Sequence, residues 1–214
     1  MPYARGVTKA RVWFGLTALA AITGVVIQLF VTASLTTGFF RTSTTRTLNV
    51  LLFFTIQSNI IVGVTCLLLA IEPSRSSLAF KTWRLTGVVA ITITGLVYHT
   101  VLARLFDLES WALVADNLIH TVVPVLAVLG WLLFGPRRQT SRTVVRLSVL
   151  FPVAWLVFTL IRGAIVHFYP YPFVDVSRFG YVRVLINCVW VAVLYLGIAT
   201  GAAALDRRLE PVER

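Results

Sequence analysis

Charge is what this chain has least of. Of its 214 residues only 13% are Asp, Glu, Lys or Arg, and only eight are acidic, where an average soluble domain is about 25% charged. Folded as a soluble globule it would expose large apolar patches, which soluble monomers rarely do. The soluble class is excluded. Cysteine is scarce too. Cys66 and Cys188 stand alone inside apolar runs, without the CxxC spacing of a zinc knuckle or the framework of a secreted disulfide domain, so each reads as a small buried hydrophobe. No solvated basic stripe exists either. The 19 Lys and Arg give a net charge of +11, but they lie in small groups between apolar runs, which argues against nucleic acid as a partner.

What is present is hydrocarbon: 58% of the residues are hydrophobic and the mean hydropathy is +0.88. A bilayer span needs about 20 apolar residues, and six stretches qualify: 12–33, 48–71, 83–104, 112–134, 144–167 and 181–204. The first is longer than the ~7–15-residue core of a signal peptide, and no clear cleavage site follows it, so it reads as a retained helix. The expectation is an all-α polytopic membrane protein, a bundle of six transmembrane helices (12–204) between a basic N-terminus (1–11) and a short tail (205–214). Thirteen Lys and Arg fall in the N-terminus, the second and fourth connections and the tail, against five on the opposite side. That asymmetry puts both termini in the cytoplasm, and the expected location is the cell membrane. The orientation also puts Cys66 and Cys188 at different depths, too far apart for a disulfide.

Polar side chains inside a membrane cost roughly 2.5–3.5 kcal/mol each at mid-helix and usually face the bundle interior. Here they gather on one side. Counting 1.5 Å per residue from the span edges puts Thr55, Gln57, Ser58 and Asn59 roughly 10–16 Å deep, and Asp116, Asn117 and His120 roughly 7–13 Å deep, both from the outside. His99, Arg162, His167 and Asn187 fall in the same outer half, while the inner halves are almost purely apolar. The pattern suggests a polar pocket facing the outer leaflet. Thr55, Ser58 and Asn59 share a helix face, and Asp116 stands four before His120, where a carboxylate can fix the imidazole tautomer. Pro124 leaves the carbonyl of His120 without its helical partner and bends the helix there.

Blander roles compete. Asp116 and Arg162 could be an ion pair that only fixes packing. Thr55 could bond its own backbone. His99 and His167 lie where a histidine is simply solvated, and Trp83, Trp111, Trp131, Tyr169 and Tyr171 read as interfacial anchors. His99 and His167 are each followed eight residues later by an aspartate, Asp107 and Asp175, an echo too short to establish a duplication.

Three segments taken together carry a family likeness: FFTIQSN (53–59), DNLIHTVVPVL (116–126) and VHFYPYPFVDV (166–176). The chain resembles the bacterial six-transmembrane family related to the androgen-induced and androgen-dependent eukaryotic membrane proteins, which hydrolyse fatty acid esters of hydroxy fatty acids with a threonine nucleophile and a histidine. The resemblance implies that Thr55, after Phe53-Phe54, is the nucleophile and His120 the general base. Thr121 and Pro124 also fit, as does the Tyr171-Pro172-Phe173 turn. The family's asparagine four before the histidine is Asp116 here, and Asn117 comes one later. The implied substrate is a membrane lipid or fatty acyl ester, with no cofactor and no metal. Asp116 or Asn117 would orient the imidazole, and Asn59 or Asn187 would donate to the oxyanion. The alternative is a transporter or small-molecule or lipid binder that uses Asp116, Arg162 and His120 without chemistry. Zinc on three single histidines from three helices, lacking any HxxxH pair, is a weaker reading. A haem held by His99 and His167 is weaker still. Oligomeric state is left open.

Overall fold

Six helices long and apolar enough to cross a membrane carry the fold of the computed structural model. It describes residues 2–105 and 107–209, so Arg214 and the tail beyond residue 209 lie outside the description, as do the side chains of residues 2–5, Arg5 among them. The described residues hold helices α1 (Pro2–Ser34), α2 (Ser43–Val50), α3 (Phe54–Ile71), α4 (Leu78–Val97), α5 (Ser110–Asn117), α6 (Val123–Phe134), α7 (Arg142–Ser148), α8 (Leu150–Val166) and α9 (Val176–Arg208), and no strand. The spans are Gly6–Ser34, Phe54–Ile71, Leu78–Leu105, Ser110–Phe134, Arg142–Val166 and Val176–Arg208. This is an all-α, multi-pass integral membrane protein.

Span edges depart from the hydropathy reading where capping chemistry takes over. Ser77 and Ser141 accept the N–H groups of Phe80 and Val144, so α4 and α7 begin before the apolar runs do, as N-cap serines allow. The second span begins at Phe54 and not at residue 48. Leu51–Phe53 break the chain between α2 and α3, with Phe53 extended at φ −69° and ψ 137°. No proline or glycine marks this break. Its carbonyls are taken by side chains instead: Trp155 Nε1 donates to Leu52 O at 2.8 Å and Gln57 Nε2 to Leu51 O at 3.3 Å. The depth counted for Thr55 along one continuous helix therefore does not apply; Thr55 lies in the first turn of α3. At the other end of the chain α9 bends at Gly180, whose φ of +72° is a conformation glycine adopts without strain.

The helices pack on small residues, as expected where lipid offers no hydrophobic drive for helix association. Ala10, Phe14, Ala18 and Ala21 of α1 meet Val62, Cys66 and Leu69 of α3 in a core that Ile91 and Val123 complete from α4 and α6. A second core joins Leu85, Val89 and Ile93 of α4 to Val144, Tyr195 and Ala199. Helix α4 serves both and is the most buried span; α8 and α9 bury little and barely touch each other. Both cysteines are free, Cys66 in the first core and Cys188 half-buried on α9.

Residues of the termini, 71–75, 135–140 and 206 meet at one end of the bundle. There the basic residues counted as loop charges satisfy helix ends: Arg137 donates to Trp131 O and Leu132 O, and Arg84 to Gly135 O and Pro136 O. Asp206 Oδ1 accepts the N–H of Arg138, and its Oδ2 accepts those of Gln139 and Thr140 and the Thr140 hydroxyl. Removing that carboxylate leaves each buried donor unsatisfied at about 1–3 kcal/mol apiece. Asp206→Ala is therefore expected to lower the thermal midpoint in detergent clearly, and Asp206→Asn to lower it less. Equal midpoints for Asp206→Ala and wild type would show that water replaces the carboxylate at no cost.

Candidate functional site

Two π-helical turns mark the end of the bundle opposite the termini, and each contains a histidine. Tyr98–Leu102 continues α4 and carries His99; Leu118–Val122 joins α5 to α6 and carries His120. Such single-turn bulges are rare and recur at functional sites. The second follows from the sequence: Pro124, two residues beyond it, has no N–H to offer the preceding turn. The neighbouring helices make room with glycine. A Cβ on Gly24 of α1 would stand 2.8 Å from Ile119 Cγ2, and one on Gly95 of α4 would stand 3.3 Å from His120 O and 3.2 Å from Pro124 Cβ.

The bulge aims His120 at a carboxylate and a phenol. His120 Nδ1 lies 2.8 Å from Asp116 Oδ1, and the Tyr98 hydroxyl donates to Asp116 Oδ2 at 2.5 Å. The Tyr98 and His120 rings stack 3.9 Å apart at 7°. With Asp116 ionised, the proton sits on Nδ1, and Nε2 is left as the basic nitrogen. Asp116, not Asn117, is the residue that orients the ring; Asn117 is exposed and donates to Leu113 O of its own helix.

Thr55 stands on the other side of a short polar bridge. Its hydroxyl is 3.1 Å from the Tyr171 hydroxyl, and its N–H donates to the same oxygen at 3.0 Å. Tyr171 thus supplies the cap that Phe53 cannot give α3. Burial pushes the Tyr171 phenol up from its ordinary value, against the opposing pull of the Thr55 hydroxyl and of the Thr55 and Phe54 N–H groups. The Thr55 carbonyl accepts from Ser58 Oγ and from Asn59 Nδ2, and the same Asn59 nitrogen donates to Ile119 O, next to His120. Ser58 also meets Thr94 Oγ1 at 3.1 Å. Among the described residues no hydrogen bond joins Thr55 to His120. Asn59 Oδ1 is buried and carries no partner among them.

A cavity of about 160 Å³ opens beside Thr55. Its walls are mainly apolar, with Ile93 of α4, Pro152 and Leu156 of α8 and Val191 of α9 among them, and its hydroxyl-bearing lining residues are Thr55, Thr94, Tyr171 and Tyr195. His120 and Asp116 lie outside its wall.

The remaining candidates are drawn elsewhere. Arg162 does not close on Asp116; it donates to Asn49 Oδ1 of α2 at 2.8 Å and lies 5.7 Å from the Phe40 ring centre. Asn187 Nδ2 donates to Phe173 O at 2.9 Å and holds the turn after α8. His99 is exposed and meets Thr121 Oγ1 through Nε2 at 3.0 Å. His167 is the left-handed C-cap of α8, exposed and outside the array. Among the described residues no three His, Cys, Asp or Glu gather as metal ligands. The sequence reading missed Tyr98 and took Tyr171 for an interfacial anchor; the one signal for Tyr98 was a phenol beside His99, opposite a span that holds an aspartate. No protein-family model, curated protein or solved structure matches the chain.

Proposed function

We propose that this membrane protein hydrolyses lipid-like fatty acyl esters, with Thr55 as nucleophile and His120 as general base and acid. The observation that carries the reading is that Thr55, in the first turn of a helix, lines a cavity whose walls are otherwise mainly apolar. The Asp116–His120 pair one bridge away supports it. The hydroxyl leaves Tyr171 and its oxygen bonds to the ester carbonyl carbon while its proton passes to His120 Nε2. The oxyanion meets the neutral Tyr171 phenol and the positive end of the α3 dipole. Asn59 and Asn187 are poor oxyanion donors, because their amide groups already serve backbone carbonyls. Collapse expels the alcohol oxygen, which takes the proton from the imidazolium. Water then repeats the cycle on the acyl-threonine, releases the acid and restores the hydroxyl. The test is a fluorophosphonate probe, expected to label wild type and Thr55→Ser but not Thr55→Ala. Equal labelling of Thr55→Ala would place the nucleophile elsewhere.

A second reading rests on its own observation. The Thr55 hydroxyl is bonded to Tyr171 and not to the imidazole, as a lipid or small-molecule binder without chemistry would have it. No probe labelling and no turnover of any long-chain ester would favour that reading.

The basic asymmetry supports a cell-membrane orientation with both termini inside. Thr44→Cys and Arg138→Cys, both at exposed positions, are to be tested in a Cys66→Ala, Cys188→Ala background. An impermeant maleimide on intact cells is expected to label only the first. Labelling of the second alone overturns the orientation.

A further inference from the structure

The cavity beside Thr55 is a slot, and its long axis follows the helices. It runs from Val149 to Leu156 on α8 and from Cys188 to Leu196 on α9, roughly 10–12 Å at 1.5 Å per residue. Tyr171, Phe173 and Val174 close one end, tied down by the Thr55 and Asn187 hydrogen bonds. Towards the other end Tyr195 donates to Ser148 O at 2.8 Å. The back wall is α3 and α4. On the remaining side stand α8 and α9, which scarcely touch. Val153, Ala192 and Leu196 line the slot and are exposed, Val153 by 51% and Leu196 by 45%. On the same two spans Val157, Ile161, Val189 and Val193 are exposed.

We infer that the slot takes one acyl chain of a single-chain amphiphile directly from the bilayer, through the gap between α8 and α9, with the head group at Thr55 and Tyr171. In a membrane the mouth faces hydrocarbon, so what reaches it is an acyl chain. The slot's polarity matches that of a lipid in the nearer leaflet, with the head at the bundle end and the tail towards the midplane. Moving a chain from lipid into the slot gains little hydrophobic free energy, because lipid tails are as apolar as the walls. Retention therefore rests on the hydroxyls at the head end and on the fit of the slot. The inference stands whether or not Thr55 attacks the bound molecule.

The test uses the wild-type protein in phosphatidylcholine nanodiscs, with a free fatty acid as the probe because it has no ester bond that turnover could remove. Palmitic acid carrying a mid-chain diazirine is photolysed in place and its crosslinks are mapped by peptide mass spectrometry. Crosslinks at Val149 and Tyr195, at the inner end of the slot where the middle of the chain would lie, are expected to saturate and to fall at least tenfold with excess unlabelled palmitate. Ala192→Trp and Val153→Trp, two independent plugs of the mouth, are each expected to reduce them about tenfold. Val157→Trp, on the lipid face of α8 but outside the slot, is expected to leave them unchanged. Each variant is checked for an unaltered thermal midpoint, and one well-folded plug suffices. Crosslinks that never saturate, that ignore a folded plug, or that saturate with a diazirine phosphatidylcholine but not with palmitate overturn the inference. Fluorophosphonate labelling of the wild type reports on the hydrolase reading separately.

Discussion

Thr55→Ala is expected to abolish turnover of a long-chain p-nitrophenyl ester, lowering kcat by at least about 10⁴-fold, while Thr55→Ser keeps measurable activity because the hydroxyl survives. The structure separates this loss from unfolding. The cap on α3 is the bond from the Thr55 backbone N–H to Tyr171, and alanine retains it. The Thr55 carbonyl that anchors Ser58 and Asn59 is also unchanged. His120→Ala is expected to match the loss. A nucleophile and its base act as a unit, so the double variant should be little worse than either single one. Wild-type turnover by Thr55→Ala would remove the threonine from the reaction.

The second large effect is expected from Asp116→Asn. The carboxylate accepts from His120 Nδ1 on one oxygen and from the Tyr98 hydroxyl on the other. An amide turned to keep the Tyr98 bond presents its NH₂ to Nδ1. That forces the imidazole proton onto Nε2, the nitrogen the reaction needs free. A wrong tautomer of this kind costs about 10⁴-fold in kcat in serine proteases. The same loss is expected here, in kcat far more than in KM, with the thermal midpoint little changed. A kcat within a few fold of wild type would show that Asp116 only packs the ring, as in a binder.

Much of the architecture could be read from residue order because a span is mainly a matter of length. Six apolar runs of about 20 residues leave few alternatives. The Asp116–His120 pair was legible for the same local reason, since residues four apart meet on any helix, and the π turn preserves the contact. What escaped the sequence was set by distant groups. The break at Leu51–Phe53 has no turn residue; Trp155, 103 positions beyond Leu52, helps to stabilise it. Arg162 turned to Asn49, a residue that the hydropathy reading placed at the start of the second span and that belongs to the separate helix α2. Tyr171 looked like an anchor because a tyrosine at a membrane edge usually is one.

The cap on α3 also bears on the order in which the molecule is made. Tyr171 follows Thr55 by 116 positions, and chains generally fold from the N-terminus as they are synthesised. The first four spans can pack α1, α3, α4 and α6 around their shared core and set Asp116 against His120 while the last two spans are still being synthesised. The first turn of α3 then waits, its N–H groups uncapped, until α8 has been inserted and the chain turns back towards the bundle. The cavity has no second wall before α9 arrives. A chain truncated after the fourth span would thus keep its imidazole and carboxylate yet hold neither the Tyr171 cap nor the acyl slot, so insertion of the final hairpin is the step that completes the site.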